Sequence, residues 1–313
     1  MVGARGGQDS RPVSCSGSDP GTCWQGMRVG DALGWATRKL AASGSETPRL
    51  DTEVLLGYVL SLSRTQLYVH WDDPLAEGVV RHYADLILRR EAREPVAYLV
   101  GERPFFDVDL YVDHRVLIPR PETEHIIDEA LSWALRRVGR LLQVVDVGTG
   151  SGALAIVLAR RLAHAHVWGV DISVDALRVA AGNVQRYNLK ERVTMVCGDL
   201  LDSLVGPFDL IVANLPYVTR KELDSVASDI VEHEPRLALD GGEDGLDLIR
   251  RLLPQVPERL AKPGLLLLEI DHRQAKAVVD MVHGNLPDAE PSLINDYAGL
   301  PRIVRAEHKA LPR

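Results

Sequence analysis

Residues 142–153, LQVVDVGTGSGA, indicate the fold more directly than any other stretch of the chain. A short run rich in β-branched residues breaks into glycines and then into the helix-forming segment 154–159, LAIVLA. This order is typical of a strand, a tight loop and a helix. Glycines let the backbone approach a ligand closely, and the first turn of a helix offers unpaired N–H groups. The stretch therefore predicts a ligand-binding loop in an α/β fold.

The loop by itself fits more than one class of nucleotide-binding protein. Gly148, Gly150 and Ala153 match the glycine fingerprint of dinucleotide-binding proteins. Asp171 ends the next predicted strand, 166–170, and lies about 20 residues further on, where an acid would bind a ribose. A nicotinamide-dependent dehydrogenase, or a non-catalytic nucleotide-binding module, is thus one interpretation.

Polar residues also follow the third and fourth predicted strands. Asp199 comes after strand 193–197, VTMVC, and Asn214 comes after strand 208–213, FDLIVA. In open α/β sheets, ligands bind at the carboxyl ends of the strands. The loop, Asp171, Asp199 and Asn214 are therefore expected to lie around one ligand site.

The tetrapeptide Asn214-Leu215-Pro216-Tyr217 is suited to hold a planar amide or amine. The side-chain oxygen of Asn214 and the backbone carbonyl of Leu215 are two acceptors, which can bind both hydrogens of an NH2 group. Pro216 biases Leu215 toward an extended backbone, and Tyr217 can cover the face of the bound group. These four residues are the predicted catalytic set.

Together these motifs resemble the class I methyltransferases that use S-adenosylmethionine. The resemblance implies a doubly wound seven-stranded sheet, with the Gly-rich loop at the methionine part, Asp171 at the ribose hydroxyls and Asp199 near the adenine. An Asn-x-Pro-Tyr after the fourth strand marks members that methylate a planar nitrogen. The implied cofactor-binding residues are Gly148, Thr149, Gly150, Ser151, Gly152, Asp171, Asp199, Leu200 and Asn214.

Two substrate classes share this tetrapeptide: proteins modified on a glutamine amide and nucleic acids modified on an exocyclic amine. Glutamine methyltransferases usually carry Asn-Pro-Pro-Tyr. Leucine in second place, as at Leu215, is frequent in the ribosomal RNA adenine dimethylases. The tetrapeptide alone leaves both substrates open.

Flanking segments favour the protein substrate, because they resemble signatures of the HemK/PrmC family, the N5-glutamine methyltransferases of class-I peptide chain release factors. The resemblance covers roughly Met27 to the C-terminus and implies methylation of the glutamine in the GGQ motif of a release factor. A ribosomal-protein glutamine methyltransferase shares the same motifs. The segments are REPVAYLVG at 93–101, LIPRPETE at 117–124, EHEPRLALDGG at 232–242, DGL at 244–246 and LLLLEI at 265–270.

The segment before the first sheet strand also has a simpler interpretation. Two prolines around Arg120 predict a rigid linker. Glu122 and Glu124 supply negative charge to the first turn of the helix predicted over 123–131. A structural role is therefore expected for both acids.

The overall charge agrees with a protein partner. The net charge is −8 and the isoelectric point is near 5.7, without the electropositive excess expected of an RNA enzyme. A class-I release factor is the expected partner, and stable nucleic-acid binding is not expected.

Cysteine usage and hydropathy predict a reduced cytoplasmic protein. The three cysteines, at 15, 23 and 197, form no plausible disulfide framework or zinc spacing, so no metal is expected. Cys197 falls within a strand predicted to be buried. Apolar runs stay below the ~18 residues that span a bilayer, so no membrane association is expected.

Composition divides the chain into four predicted regions. Residues 1–26 are rich in Gly, Ser, Pro, Arg and Asp and are expected to be a disordered leader. Residues 27–98 show helical spacing of apolar residues, and the resemblance implies that they recognise the substrate. Residues 99–121 form a predicted hairpin linker, and residues 122–313 form the methyltransferase domain. Within that domain we expect helices over 173–187, capped by Ser173, and 246–260; the resemblance implies an antiparallel last strand.

Overall fold

The computed structural model describes residues 26–137, 139–224 and 233–308. The chain divides into two compact units, Met1–Leu99 and Val100–Arg313. The predicted leader lies outside the described residues except for Gly26, as does Glu232 of the downstream signature. The four predicted region boundaries therefore stay a prediction.

The first unit is helical, as the apolar spacing predicted. Helices α1, α2 and α4 pack on one another and bury residues such as Leu33, Leu55 and Ile87. The buried Tyr83 hydroxyl donates a hydrogen bond to the carbonyl of Thr52 at 3.1 Å, which ties α4 to α2. The helices are α1 (Val29–Ala42), α2 (Pro48–Leu60), α3 (Arg64–Val69), α4 (Glu77–Glu91) and α5 (Val96–Val100), the last ending one residue into the second unit.

The second unit begins with the expected antiparallel hairpin. Strands β1 (Glu102–Phe105) and β2 (Val108–Tyr111) pair antiparallel. The Phe105 side chain is buried, whereas Phe106 stands in the turn with φ +56°. A hydrogen bond of 3.0 Å from the Phe106 N–H to the Glu124 carboxylate fixes this turn.

A seven-stranded sheet forms the rest of the second unit, in the order β5-β4-β3-β6-β7-β9-β8. Strands β3 to β7 run parallel, and β9 runs antiparallel to both of its neighbours. The predicted doubly wound α/β sheet and its antiparallel last strand are thus confirmed. The strands are β3 (Leu142–Val147), β4 (Ala165–Asp171), β5 (Val193–Cys197), β6 (Phe208–Ala213), β7 (Leu260–Glu269), β8 (Ala289–Asn295) and β9 (Pro301–His308).

Helices cover the sheet, and its central strands are largely apolar, with Asp146 in β3 and Asp209 in β6 as buried acids. Every residue of β6 is buried, and so is the run 153–159 of α7. Such continuous apolar runs are typical of parallel strands covered on both faces. The helices are α6 (Glu124–Ala134), α7 (Ala153–Arg161), α8 (Val174–Arg186), α9 (Arg220–Leu223), α10 (Asp247–Leu252), α11 (Val256–Arg259) and α12 (Ala275–Asn285).

Two local predictions were wrong. The helix expected over 246–260 is divided into α10, a 3-10 turn at Leu253–Gln255 and α11, because Pro254 and Pro257 lack the N–H that a continuous helix needs. Cys197 is exposed rather than buried, because β5 is the edge strand of the sheet. By contrast, Ser173 caps α8 as expected, accepting a hydrogen bond from the Ala176 N–H at 3.2 Å.

In the described part of the chain, no helix has the length and apolar character needed to cross a membrane.

Candidate active site

A cavity of about 200 Å³ lies at the carboxyl ends of β3, β4, β5 and β6. The strand order changes direction around β3, and this is the edge at which ligands of such sheets bind. The predicted residues on its wall come from all four strand ends. They are Gly148, Gly150, Asp171, Asp199, Leu200, Asn214, Leu215 and Pro216.

The loop after β3 turns sharply at Gly148, which has φ +74°. A side-chain carbon there would lie 3.1 Å from the Leu215 side chain and would carry φ strain as well. Asp146, in β3, anchors the loop. Its carboxylate accepts hydrogen bonds from the Thr149 hydroxyl at 2.6 Å and the Ala155 N–H at 3.1 Å. Burial raises the pKa of Asp146 to about 7. Asp146 therefore supports the loop. The only sign of this role in the sequence was the presence of an acidic residue within an otherwise apolar strand.

Three predicted cofactor residues of this loop do not line the cavity. Thr149 and Ser151 are buried within the loop, and Gly152 stands at the N-cap of α7. The Ser151 carbonyl accepts a hydrogen bond of 2.9 Å from the Asn183 amide. Contact between these three residues and a cofactor stays a prediction.

Asn183, on α8, was missed by sequence reasoning and connects the loop to the hairpin. Its amide also donates to the Tyr111 carbonyl at 2.9 Å, and its side-chain oxygen accepts from the Tyr111 N–H at 2.8 Å. Asn183 is almost fully buried, so these bonds are shielded from water. The only sign of this role in the sequence was a polar residue on the otherwise apolar face of a helix.

Asp171 ends β4 and points its carboxylate at the cavity wall. One oxygen accepts the Gly150 N–H and the other accepts the Ser173 N–H, each at 2.9 Å. Burial raises the pKa of Asp171 above its ordinary value, while these backbone bonds oppose the shift. Each carboxylate oxygen keeps a further lone pair, so the group can also accept hydrogen bonds from a vicinal diol.

Asp199 forms an ion pair with Arg251 of α10, and both side chains lie on the cavity wall. The pair is partly exposed, so its contribution to stability is small. Arg251 had not been predicted as a site residue. Leu200, next to Asp199, is buried and has φ +53°.

The Asn-Leu-Pro-Tyr tetrapeptide stands between this cavity and a second one of about 180 Å³. Asn214, Leu215 and Pro216 line both cavities, whereas Tyr217 lines the second one only. The Asn214 amide nitrogen donates a hydrogen bond of 2.9 Å to the Thr123 hydroxyl. Its side-chain oxygen makes no hydrogen bond within the described ranges. Burial raises the pKa of Tyr217 to about 12, so this phenol is neutral.

The two flanking signatures meet beside the second cavity. The Arg120 guanidinium donates to the Glu234 carboxylate at 2.5 Å, and the Ile118 N–H donates to the same carboxylate at 3.1 Å. Glu234 is buried, so these charge-assisted hydrogen bonds tie the linker to the downstream signature. Glu124 accepts the Phe106 N–H, while Glu122 is exposed in the turn before α6.

Gly241 of the downstream signature packs against the backbone of the tetrapeptide. A side-chain carbon at Gly241 would lie 2.7 Å from the Tyr217 Cα. The Gly241 N–H also donates to the Val218 carbonyl at 2.9 Å, and the Val218 N–H donates to the Leu239 carbonyl at 3.1 Å. Residues 239–241 therefore fix the extended backbone that follows the tetrapeptide at Val218.

Among the described residues, no group of three or more His, Cys, Asp and Glu side chains is placed to hold a metal ion. The first cavity instead offers what a nucleoside-containing cofactor needs. It combines an apolar wall with a carboxylate at Asp171 and a polar tip at Asn214. These residues fit S-adenosylmethionine.

Comparison with known proteins agrees with this fit. The family model "PrmC N-terminal domain" matches residues 31–101, and the model "Methyltransferase small domain" matches residues 127–244. The catalytic domain of hMettl16, solved with an RNA hairpin, shares the fold at a TM-score of 0.52 and 14% identity, covering 75% of this chain and 84% of that one. Fold and site together define a class I methyltransferase that uses S-adenosylmethionine.

Two curated relatives narrow the class to a family. The release factor glutamine methyltransferase of Rhodopirellula baltica is 39% identical over 90% of this chain and 96% of its own length. That of Moorella thermoacetica is 42% identical over 90% of this chain and 98% of its own length. The chain belongs to the family of release factor glutamine methyltransferases, as the flanking signatures predicted.

Proposed function

We propose that this enzyme transfers the methyl group of S-adenosylmethionine to the side-chain amide nitrogen of the glutamine in the GGQ motif of a class-I peptide chain release factor. The observation that carries the proposal is the tetrapeptide that lines two cavities at once. A methyl donor on one side and an acceptor amide on the other would meet at Asn214. A cytoplasmic location is part of the proposal.

The first cavity is proposed as the cofactor site. Asp171 would accept hydrogen bonds from the ribose hydroxyls, since its carboxylate is already oriented by two backbone N–H groups. Asp199 and Leu200 would lie near the adenine. Gly148 and Gly150 would let the loop backbone approach the methionine part. Bound there, S-adenosylmethionine supplies an electrophilic methyl group on a sulfonium.

The second cavity is proposed as the site of the substrate glutamine. Its wall contains Arg120, already paired with Glu234, and the neutral phenol of Tyr217. A neutral amide suits such a wall better than a charged side chain does. Tyr217 would pack against the planar face of the amide.

Catalysis would depend on positioning, because the lone pair of an amide nitrogen is delocalised into its carbonyl. The Asn214 oxygen and the Leu215 carbonyl would accept the two N–H groups and aim the nitrogen at the methyl group. Well-oriented contact of this kind can lower a barrier by ~7–11 kcal/mol. No described residue is assigned as a base, so the surplus proton would leave to solvent or to another acceptor.

Methylation assays with defined substrates test this proposal. The chain is incubated with S-adenosylmethionine labelled on its methyl group and, separately, with a purified release factor, a ribosomal protein preparation and ribosomal RNA. We expect label in the release factor only. A release factor whose GGQ glutamine is changed to asparagine is the matched control and should stay unlabelled. Label in ribosomal RNA with none in the release factor would refute the proposal.

A further inference from the structure

The wall of the first cavity carries an arginine that the proposed mechanism does not use. Among the described residues, the charged side chains on this wall are Arg115, Asp171, Asp199 and Arg251. Asp171 is proposed to bind the ribose, and Asp199 and Arg251 form an ion pair with each other. Arg115, in the segment after β2, is therefore the charged group of this wall whose function is open.

Asp113 fixes the orientation of the Arg115 guanidinium. The Asp113 carboxylate accepts hydrogen bonds from Arg115 Nε at 2.9 Å, from Nη2 at 2.5 Å and from the Arg115 backbone N–H at 3.0 Å. The Tyr111 hydroxyl donates to the same carboxylate at 2.9 Å. Nη1 of Arg115 has no hydrogen-bond partner in the described part of the chain. One edge of the guanidinium is thus held by the protein, while the N–H groups of Nη1 are available to a ligand.

Hydrogen bonds tie the segment of Arg115 to the glycine loop after β3. The Tyr111 backbone N–H and carbonyl both bond to the Asn183 side chain, which in turn donates to the Ser151 carbonyl. The pair of Asp199 and Arg251 belongs instead to the end of β5, which β4 separates from β3. Arg115 therefore belongs to the side of the cavity where the methionine part of the cofactor is proposed, rather than to the adenine side.

The same segment extends to the junction of the two cavities. Leu117, two residues after Arg115, lines both cavities, as do three residues of the tetrapeptide. The methyl-bearing sulfur is proposed to lie at this junction, and two residues of extended chain span at most about 7 Å. A short saturated chain joins that sulfur to the carboxylate of S-adenosylmethionine. Arg115 is therefore placed within reach of this carboxylate.

We propose that Arg115 binds the α-carboxylate of S-adenosylmethionine through Nη1, and so selects a methyl donor that carries this carboxylate. The inference rests on the proposed function, which places the cofactor in the first cavity. Hydrogen bonds from a guanidinium to a carboxylate are charge-assisted, and the orientation imposed by Asp113 lowers the entropy cost of forming one. Because Asp113 balances the charge of Arg115, the contact is a directed hydrogen bond rather than a general attraction for anions.

Two ligands that differ only in this carboxylate form the test. S-adenosylmethionine and its decarboxylated analogue share the nucleoside, the sulfonium and the amino group. Isothermal titration calorimetry with the full chain measures both dissociation constants. We expect Arg115→Ala to weaken binding of S-adenosylmethionine at least about tenfold, and to leave binding of the analogue within about threefold of wild type. Arg115→Lys, which keeps a charged donor without the planar guanidinium, should lie between alanine and wild type.

Arg251→Ala is the matched control, because Arg251 is another ion-paired arginine on the same wall. It lies on the proposed adenine side, so its removal should change the dissociation constants of both ligands by the same factor. If Arg115→Ala does not fold, the double variant Asp113→Ala/Arg115→Ala takes its place, since it leaves no unpaired acid. The same selective loss is expected of it.

Three results would overturn the role of Arg115. Equal weakening of both ligands by Arg115→Ala would indicate a structural role only, and unchanged affinity for S-adenosylmethionine would exclude the contact. A selective loss in Arg251→Ala would place the carboxylate at the other arginine. The proposed function fails separately: it is refuted if wild type binds S-adenosylmethionine and leaves the release factor unlabelled, whereas calorimetry alone decides the role of Arg115.

Discussion

At the scale of single residues, hydrogen bonds within the protein orient both Asp171 and Asn214. Asp171 is held by two backbone N–H groups, and Asn214 is held by the Thr123 hydroxyl. Preorientation of this kind removes part of the entropy cost of binding and of reaching the reactive geometry. Substitutions at the two positions should therefore affect different steps.

Asp171→Ala is expected to weaken S-adenosylmethionine binding much more than it disturbs folding. Losing charge-assisted hydrogen bonds costs ~1.5–3 kcal/mol, or about tenfold to a hundredfold in affinity. Asp171→Asn, which keeps one acceptor oxygen, should lie between alanine and wild type. Isothermal titration calorimetry measures the affinity, and thermal unfolding checks the fold. Wild-type affinity in a folded alanine variant would remove Asp171 from the cofactor site.

Asn214→Ala is expected to nearly abolish methyl transfer while leaving cofactor affinity largely intact. Asn214→Asp is the sharper comparison, because a carboxylate still accepts hydrogen bonds from the substrate. Residual activity in the aspartate variant, with none in the alanine variant, would support the acceptor role of this side chain. Single-turnover transfer and equilibrium binding are measured in parallel; normal turnover of Asn214→Ala would exclude the tetrapeptide from the mechanism.

Leu215→Pro changes the tetrapeptide to Asn-Pro-Pro-Tyr, the sequence that is usual in glutamine methyltransferases. The proposed mechanism uses only the backbone carbonyl of Leu215, and Pro216 already restricts its backbone to extended conformations. Turnover on a release factor should therefore stay within about tenfold of wild type, or ~1.4 kcal/mol. The Leu215 side chain is buried against Gly148, so some loss of stability is expected as well. A larger fall in turnover would show that the side chain contributes to the site.

At the scale of elements, the segment 239–245 supports the tetrapeptide from outside the sheet. Gly245 has φ +77°, and a side-chain carbon there would overlap the Tyr217 carbonyl oxygen. The Gln274 amide, at the start of α12, donates to that same carbonyl at 3.3 Å and to the Gly245 carbonyl at 3.1 Å. The position of Tyr217 thus depends on a turn and a helix that are distant in sequence.

Gly245→Ala is expected to destabilise the fold by ~1–3 kcal/mol, through φ strain and crowding, and to lower turnover by displacing Tyr217. Gly284→Ala is the matched control. Gly284 lies within α12, and a side-chain carbon there meets nothing within 4 Å, so alanine should be neutral or slightly stabilising. Denaturant unfolding and steady-state assays compare the two variants. Equal behaviour of the two variants would contradict the proposed support of Tyr217.

At the scale of the whole molecule, charge and ligand linkage both bear on function. The chain carries a net charge of −8. The arginines on the walls of the two cavities are all in ion pairs: Arg115 with Asp113, Arg120 with Glu234 and Arg251 with Asp199. These pairs limit the positive potential that a phosphate backbone would require at the site.

Cofactor choice should be visible as stabilisation of the native state. A ligand that binds only the folded protein stabilises it by ~2.7 kcal/mol at a concentration one hundred times its dissociation constant. We therefore expect S-adenosylmethionine to raise the midpoint of thermal unfolding, and NADH to leave it unchanged. A rise with NADH instead would favour the dehydrogenase interpretation of the glycine loop.

Sequence patterns determined the sheet, its order of elements and most of the first cavity, because these features depend on short-range signals. A β-branched run followed by glycines and a helix-forming run identifies one strand end, and the spacing to Asp171, Asp199 and Asn214 places the next three. All four strand ends line the cavity.

Only the tertiary structure decided which side chains stand behind the site. Thr123 and Asn214 are 91 positions apart, and Arg120 and Glu234 are 114 apart, so no local pattern could pair them. The exposure of Cys197 likewise depended on β5 having a neighbour on one side only, which the strand's own residues do not encode. Partners distant in the chain are chosen by packing, and packing is a property of the folded molecule as a whole.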